Sequence, residues 1–160
     1  MKILMVCLGN ICRSPLAEGI LKKKALNAGL DWEIKSAGTN GCHIGTPPHR
    51  LSQKVASLNG IEICHQRSRM FTAEDFKYYD KIYAMANDVI DEMKWIAGIQ
   101  FDRRKVDLLM NEIYPGRDLD IPDPWYCAES GYHEVYKMIE EACDRIIAKE
   151  LESGVLKVES

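Results

Sequence analysis

No stretch of this chain stays apolar for the roughly 20 residues that a membrane-spanning helix needs. Its first apolar run, Met1-Lys2-Ile3-Leu4-Met5-Val6, is too short for a secretory leader, so a cytoplasmic location without membrane insertion is expected. A basic excess is missing too: 21 Lys and Arg stand against 24 Asp and Glu, giving a formal charge of −3 and a pI near 5.8. That leaves no electrostatic footprint for nucleic acid. Six cysteines are present but scattered, and no Cys/His pair with zinc spacing follows Cys7 and Cys12. Reduced thiols are therefore expected, rather than disulfides or a metal site. Internal repeats and low-complexity segments are absent. What remains is an ordinary globular composition, 46% hydrophobic and 28% charged over 160 residues. A single catalytic domain over 1–152 is expected, burying roughly 70% of its unfolded surface, with 153–160 as a frayed tail.

The chain alternates strand and helix signals. Lys2 to Val6 reads as a buried parallel strand, and Leu16 to Leu26 as a helix with Pro15 in its first turn. Trp32 to Gly38 alternates like a second strand, and Thr39 to Arg50, with two glycines and two prolines, is a loop. Leu51 to Leu58 has helical spacing and stops at Asn59-Gly60, and Thr72 to Asp75 caps a short helix through Phe76. Tyr79 to Met85 is a third strand, Asn87 begins a helix towards Ala97, and Lys105 to Leu109 is a short fourth strand. Gly116 to Ala128 is a loop, and Tyr132 to Leu151 a long amphipathic helix. This order predicts an α/β fold: an open, doubly wound, four-stranded parallel sheet with helices on both faces. Ligands of such sheets bind beyond the C-terminal ends of the strands, where Cys7 falls.

Between first strand and first helix lies Cys7-Leu8-Gly9-Asn10-Ile11-Cys12-Arg13-Ser14-Pro15. A glycine-containing loop running into a helix N-terminus can wrap an anion in backbone N–H groups. Cys7 and Arg13 read Cys-x5-Arg. A thiol enclosed by amide hydrogens, a helix N-terminus and a guanidinium is expected to ionise and act as a nucleophile. The Arg13 fork can hold two phosphoryl oxygens at once, and Ser14 is placed to donate to the sulfur. A cysteine closing a strand is commonly just a small hydrophobe; the Gly-Asn loop and the Arg-Ser-Pro helix start favour the nucleophile. Farther on, Asp123 sits between Pro122 and Pro124 and is followed by Trp125 and Tyr126. It is the expected general acid for a departing oxygen, with Asp120 as competitor.

Val6 to Glu18 resembles the phosphate-binding loop of the low-molecular-weight protein tyrosine phosphatases, and Asp123-Pro124-Trp125-Tyr126 resembles that family's acid loop. The resemblance covers essentially the whole chain. It implies hydrolysis of a phosphotyrosine protein or aryl phosphate through a cysteinyl-phosphate, with inorganic phosphate as product and no metal or cofactor. Cys7 would be the nucleophile, Arg13 the clamp, Asp123 the acid and base, and Leu8, Gly9, Asn10, Ile11, Cys12 and Ser14 the phosphate cradle. Ser36 and His65, joined by Glu18, would hold Asn10 in an unusual backbone conformation. A redox disulfide between Cys7 and Cys12 is implied as well. Trp125 and Tyr126 would wall the pocket. Cys42 stands where the family often carries an aromatic wall residue, so that wall is expected to be smaller or supplied by His43.

Three other functions compete. Arsenate reductases of this fold resemble a relay of three thiols, yet residues 79 to 121 contain no cysteine. Phosphoarginine phosphatases tend to carry threonine where Ile11 stands. A silent phosphotyrosine-binding module would lack Cys7, Arg13 or Asp123.

Overall fold

A computed structural model describes the backbone of residues 1–159 and the side-chain surroundings of residues 1–154. Four parallel strands run in the order β2-β1-β3-β4: β1 Lys2–Cys7, β2 Glu33–Gly38, β3 Lys81–Ala84 and β4 Val106–Leu108. The alternation of β1 explains why it lies central. Ile3 and Met5 enter one core cluster, with Leu16, Ile20, Ile63, Tyr132 and Ile139, while Leu4 and Val6 enter the other, with Phe71, Phe76, Val89 and Met93. Both faces of the strand are therefore buried, as a parallel sheet requires. Helices α1 (Arg13–Asn27), α2 (Arg50–Leu58) and α5 (Glu129–Glu159) contribute to the first cluster; α3 (Asp75–Tyr78) and α4 (Asn87–Ala97) contribute to the second. The expected open, doubly wound sheet is what the chain forms.

Element boundaries shift in three places that matter. The last helix begins at Glu129, one turn before the expected Tyr132, because Gly131 lets the chain pack back on itself. A Cβ there would lie 2.6 Å from the Cys127 Cβ. The same helix extends through Glu159, across most of the 153–160 segment, and Ser160 lies outside the described residues. The short helix spans Asp75–Tyr78, two residues past the expected Phe76, while Asp75 Oδ2 accepts from the Thr72 N–H at 2.9 Å within the expected cap. Among the described residues no helix is long and apolar enough to cross a membrane.

The strand order reverses at β1, flanked by β2 on one side and β3 on the other. That switch point opens a crevice above the C-terminal ends of the strands. Cys7 is the last residue of β1 and pairs with Gly38, the last of β2. Beyond them the segment Arg69–Phe71 docks along the sheet edge: Gly38 N–H donates to Arg69 C=O at 2.9 Å and accepts at its own C=O from Phe71 N–H at 2.7 Å. The connection between β2 and β3 thus returns to the mouth of the crevice.

Gly38 has to be glycine for reasons of space. A Cβ on it would stand 2.7 Å from the Leu8 carbonyl oxygen and 3.0 Å from both the Asn10 N and Cβ. Those atoms belong to the loop over Cys7 and have no slack. Gly38→Ala is expected to cost about 1–3 kcal/mol of stability, as overpacking does, and to distort the loop. Thermal melts with and without inorganic phosphate check this: the melting point should fall, and so should the stabilisation that phosphate adds.

Candidate active site

The loop from Leu8 to Cys12 is shaped from outside. Its carbonyls are turned away from the crevice and tied down: Leu8 C=O accepts from Asn40 N–H at 2.8 Å, Gly9 C=O from Ser68 Oγ at 3.0 Å, Ile11 C=O from His49 N–H at 2.8 Å and Cys12 C=O from Ser52 Oγ at 3.3 Å. A trans peptide places its N–H opposite its C=O. Outward carbonyls at 8, 9, 11 and 12 therefore turn the N–H groups of Gly9, Asn10, Cys12 and Arg13 inward. One of them is seen doing this: the Asn10 N–H points at Cys7 Sγ, 3.3 Å away. The helix α1 begins at Arg13, so its N-terminal partial charge adds to the same spot.

Asn10 makes the bend possible. It has a φ of 56°, in the left-handed region that asparagine tolerates better than most residues. Its buried side chain is held on three sides, donating to Ser14 Oγ at 2.8 Å and Ser36 Oγ at 3.0 Å and accepting from the Arg69 N–H at 3.0 Å. Ser14 Oγ lies 2.9 Å from Cys7 Sγ. Asn10 uses the hydroxyl as an acceptor, which leaves its hydrogen available to the sulfur or, at 3.5 Å, to the Ala37 carbonyl.

Part of the expected supporting network is corrected by this geometry. Ser36 holds Asn10 as expected, but His65 is exposed and makes no hydrogen bond to it; the Arg69 backbone occupies that place. The reason lies next door. Gln66 turns inward to donate to the Pro15 carbonyl at 3.1 Å, which leaves its neighbour His65 facing outward. Glu18 is buried yet spends its carboxylate on Lys22, 2.7 Å away, and does not reach Asn10.

Arg13 is 4% exposed and oriented by one backbone group, donating from Nη1 to the Ile121 carbonyl at 2.9 Å. Its other arm, Nη2, approaches Asp123 Oδ2 to 3.8 Å. Asp123 also caps the short turn Pro124–Tyr126, its Oδ1 accepting from the Trp125 N–H at 3.0 Å. Cys7, Arg13 and Asp123, distant in sequence, thus line one cavity of about 180 Å³, with Leu8, Gly9, Ile11 and Cys12 at its base. Asp120, the competing acid, does not line this cavity, and its Oδ1 is engaged by the Asn87 N–H at 2.8 Å and the Asn87 side chain at 2.7 Å.

The walls are Trp125, Tyr126, Asn40 and His43. Cys42 is not among them: its N–H bonds to Asn40 Oδ1 at 2.8 Å, a turn that throws the thiol into solvent and brings His43 over the loop. A Cβ on Gly9 would touch His43 Cδ2 at 3.2 Å. The imidazole therefore takes the wall position expected to be either smaller or its own. Trp125 lies between two imidazoles, with ring centroids 5.5 Å from His43 and 5.4 Å from His49. Burial, with help from the neighbouring Arg50 charge, holds His49 below the ordinary histidine pKa. Cys12 lies behind the loop, its Sγ 3.6 Å from the Tyr132 hydroxyl, and burial pushes its thiol up to about 12. Among the described residues no three His, Cys, Asp or Glu side chains converge as metal ligands.

Sequence reasoning missed Ile121, Arg69, Asn40, Ser52, Ser68 and His49. Most of these act through backbone or single hydroxyl groups, which carry no sequence signature. His49 alone had a readable signal, a polar side chain just ahead of a helical run.

A cysteine at the end of a central strand, ringed by inward amides and faced by an arginine and an aspartate, gives this doubly wound sheet an anion-binding crevice. Residues 2–156 match the family model described as low molecular weight phosphotyrosine protein phosphatase, and the chain belongs to that family. It is 35% identical over 148 residues to the low molecular weight protein-tyrosine-phosphatase YfkJ of Bacillus subtilis, covering 91% of this chain and 93% of that one. The solved structure of a protein tyrosine phosphatase from Entamoeba histolytica, with Hepes in its active site, superposes with a TM-score of 0.86 at 37% identity, covering 96% of this chain and 98% of that one. The Drosophila arginine phosphatase gives 0.85 at 33% identity, covering 94% and 98%.

Proposed function

We propose that the protein hydrolyses phosphotyrosine monoesters by a two-step, double-displacement mechanism. The observation that carries this reading is the placement of Cys7 Sγ under inward N–H groups with Arg13 and Asp123 facing each other at 3.8 Å across the same cavity. The Cys7 thiolate attacks phosphorus in line and forms the S–P bond as the P–O bond to the leaving group breaks. Asp123 gives its proton to the departing phenoxide. Asp123, now ionised, takes a proton from water as that water attacks the cysteinyl-phosphate, releasing inorganic phosphate and the thiolate. Ser14 donates to the sulfur and helps it leave. The Arg13 fork and the loop amides hold the equatorial oxygens throughout, where preorganised donors supply the largest stabilisation.

The cavity is on the scale of the ~150 Å³ space that accommodates a benzene ring, and Ile11, His43 and Trp125 give it the apolar and aromatic sides a phenyl ring needs. Phosphoarginine is the competing substrate, since a similar solved structure is an arginine phosphatase. The apolar Ile11 wall offers a guanidinium no acceptor. Rates on phosphotyrosine, phosphoserine and phosphoarginine peptides, with arsenate plus thioredoxin as control, test the assignment. Phosphotyrosine should be cleaved fastest by at least tenfold; faster phosphoarginine cleavage or arsenate reduction would overturn it.

All six cysteines are unpaired, which suits a reducing, cytoplasmic setting. Under peroxide, Cys7 is the thiol that oxidises first, to a sulfenic acid; the buried Cys12 thiol can then displace water to close a disulfide.

A further inference from the structure

His49 belongs to neither motif, yet four elements meet on it. Its N–H donates to Ile11 C=O of the phosphate loop at 2.8 Å. Its Nδ1 accepts from the Leu51 N–H at 3.1 Å and so caps α2. One edge of its ring meets Trp125 of the acid loop, with centroids 5.4 Å apart and planes at 73°. Its face stacks on Tyr132 of α5 at 5.3 Å and 21°. Tyr132 is fully buried and fixed, so the imidazole is a rigid post with Trp125 leaning on it.

Trp125 matters to the chemistry because its backbone N–H is held by Asp123 Oδ1 at 3.0 Å. The indole and the carboxyl thus belong to one short capped turn, Pro124–Tyr126, and a contact that fixes the ring fixes the turn that carries Asp123. Asp123 and Trp125 are exposed, and Arg13 reaches this loop only at the Ile121 carbonyl and, at 3.8 Å, at Asp123 itself, so Trp125 needs a contact of its own. Of the two rings beside Trp125, His43 sits on the open wall of the cavity, whereas His49 is braced from behind by α5 and α2.

We infer that His49 is the positioning residue of the acid loop, registering Asp123 against the phosphate loop through its ring contact with Trp125. The inference rests on the assignment of Asp123 as the general acid. The ring does the positioning, while Nδ1 serves only to start α2, so the two roles separate in two variants. His49→Asn keeps an acceptor that caps helices well and removes the ring. His49→Phe keeps the ring and removes the acceptor.

The measurement is kcat/KM, which reports the step in which the leaving group departs, for phenyl phosphate (a poor leaving group) and 2,4-dinitrophenyl phosphate (a good one). Inorganic phosphate inhibition is measured alongside, and Asp123→Asn serves as reference. His49→Asn should lose about tenfold or more on phenyl phosphate, since displacement of a catalytic group by ~1 Å costs up to 10²-fold. On the dinitrophenyl ester it should lose less than threefold, with phosphate inhibition within twofold of the parent. His49→Phe should restore the phenyl phosphate rate to within threefold while melting at a lower temperature. An equal loss on both esters, or weakened phosphate inhibition, would make His49 a merely structural residue and overturn the inference. So would a His49→Phe profile like that of His49→Asn. If Asp123→Asn discriminates between the esters and His49→Asn does not, the inference fails alone; if neither discriminates, the acid assignment fails and takes the inference with it. In the unmodified protein, a nuclear Overhauser contact between the His49 ring and the Trp125 indole should be seen, and its absence would also count as refutation.

Discussion

Cys7→Ser is expected to abolish turnover and leave phosphate binding intact. The sulfur is the only atom the variant exchanges at the base of the cavity. The donors proposed to hold phosphate, the amides of Gly9, Asn10, Cys12 and Arg13 and the Arg13 fork, are fixed by bonds to Asn40, Ser68, His49, Ser52 and Ile121, none of which involves sulfur. A serine hydroxyl is a far weaker acid than a thiol, so the variant presents a neutral, poorly nucleophilic oxygen where the parent presents sulfur. The site would then bind the dianion and stop. Calorimetric titration with inorganic phosphate should give an affinity within a few-fold of the parent, while release from phosphotyrosine peptide falls to background. Residual turnover at the parental rate would show that the nucleophile lies elsewhere.

Asp123→Ala should lower kcat/KM for phenyl phosphate by about 10²–10⁴, the usual worth of a positioned acid. The loss should shrink as the leaving group improves, because a dinitrophenolate departs without a proton. Rescue by Asp120 is not expected: that carboxylate is engaged at the start of α4 by the backbone and side chain of Asn87. A second effect follows from the 3.8 Å approach of Asp123 to Arg13. Removing a carboxylate beside the guanidinium removes a repulsion against the bound dianion, so phosphate should inhibit the variant more strongly than the parent. A leaving-group-independent loss would assign Asp123 a structural role only.

How much of this could be read from the amino acids depends on where each contact lies along the chain. Cys7, Asn10, Arg13 and Ser14 sit within eight residues, and their spacing alone describes a strand, an anion loop and a helix start. Asp123 was legible because two prolines flank it and two aromatics follow. The sheet was legible because β1 is apolar on both faces, as only a central parallel strand is. The failures are contacts made through space. Nothing in the residue name Arg69 says that its backbone, rather than the side chain of His65, reaches Asn10. His65 was a reasonable partner by chemistry and was displaced by the inward turn of Gln66. Cys42 was placed correctly along the chain and wrongly in direction, since one bond from Asn40 rotates the following residues by a turn. Gly38 looked like a strand end, and only the 2.7 Å clearance beneath Leu8 shows that it is a space requirement of the loop.

The bonds that hold the carbonyls of the phosphate loop, and two of the three on the Asn10 side chain, come from residues 36 to 69, all of them made after the loop on the ribosome. A growing chain therefore exposes its reactive sulfur at the seventh residue and completes the surroundings that arm it some sixty residues later. The acid arrives later still, at position 123. On the proposed mechanism competence follows tertiary closure, so a chain truncated before residue 69 is expected to carry the signature peptide without cleaving phosphate esters.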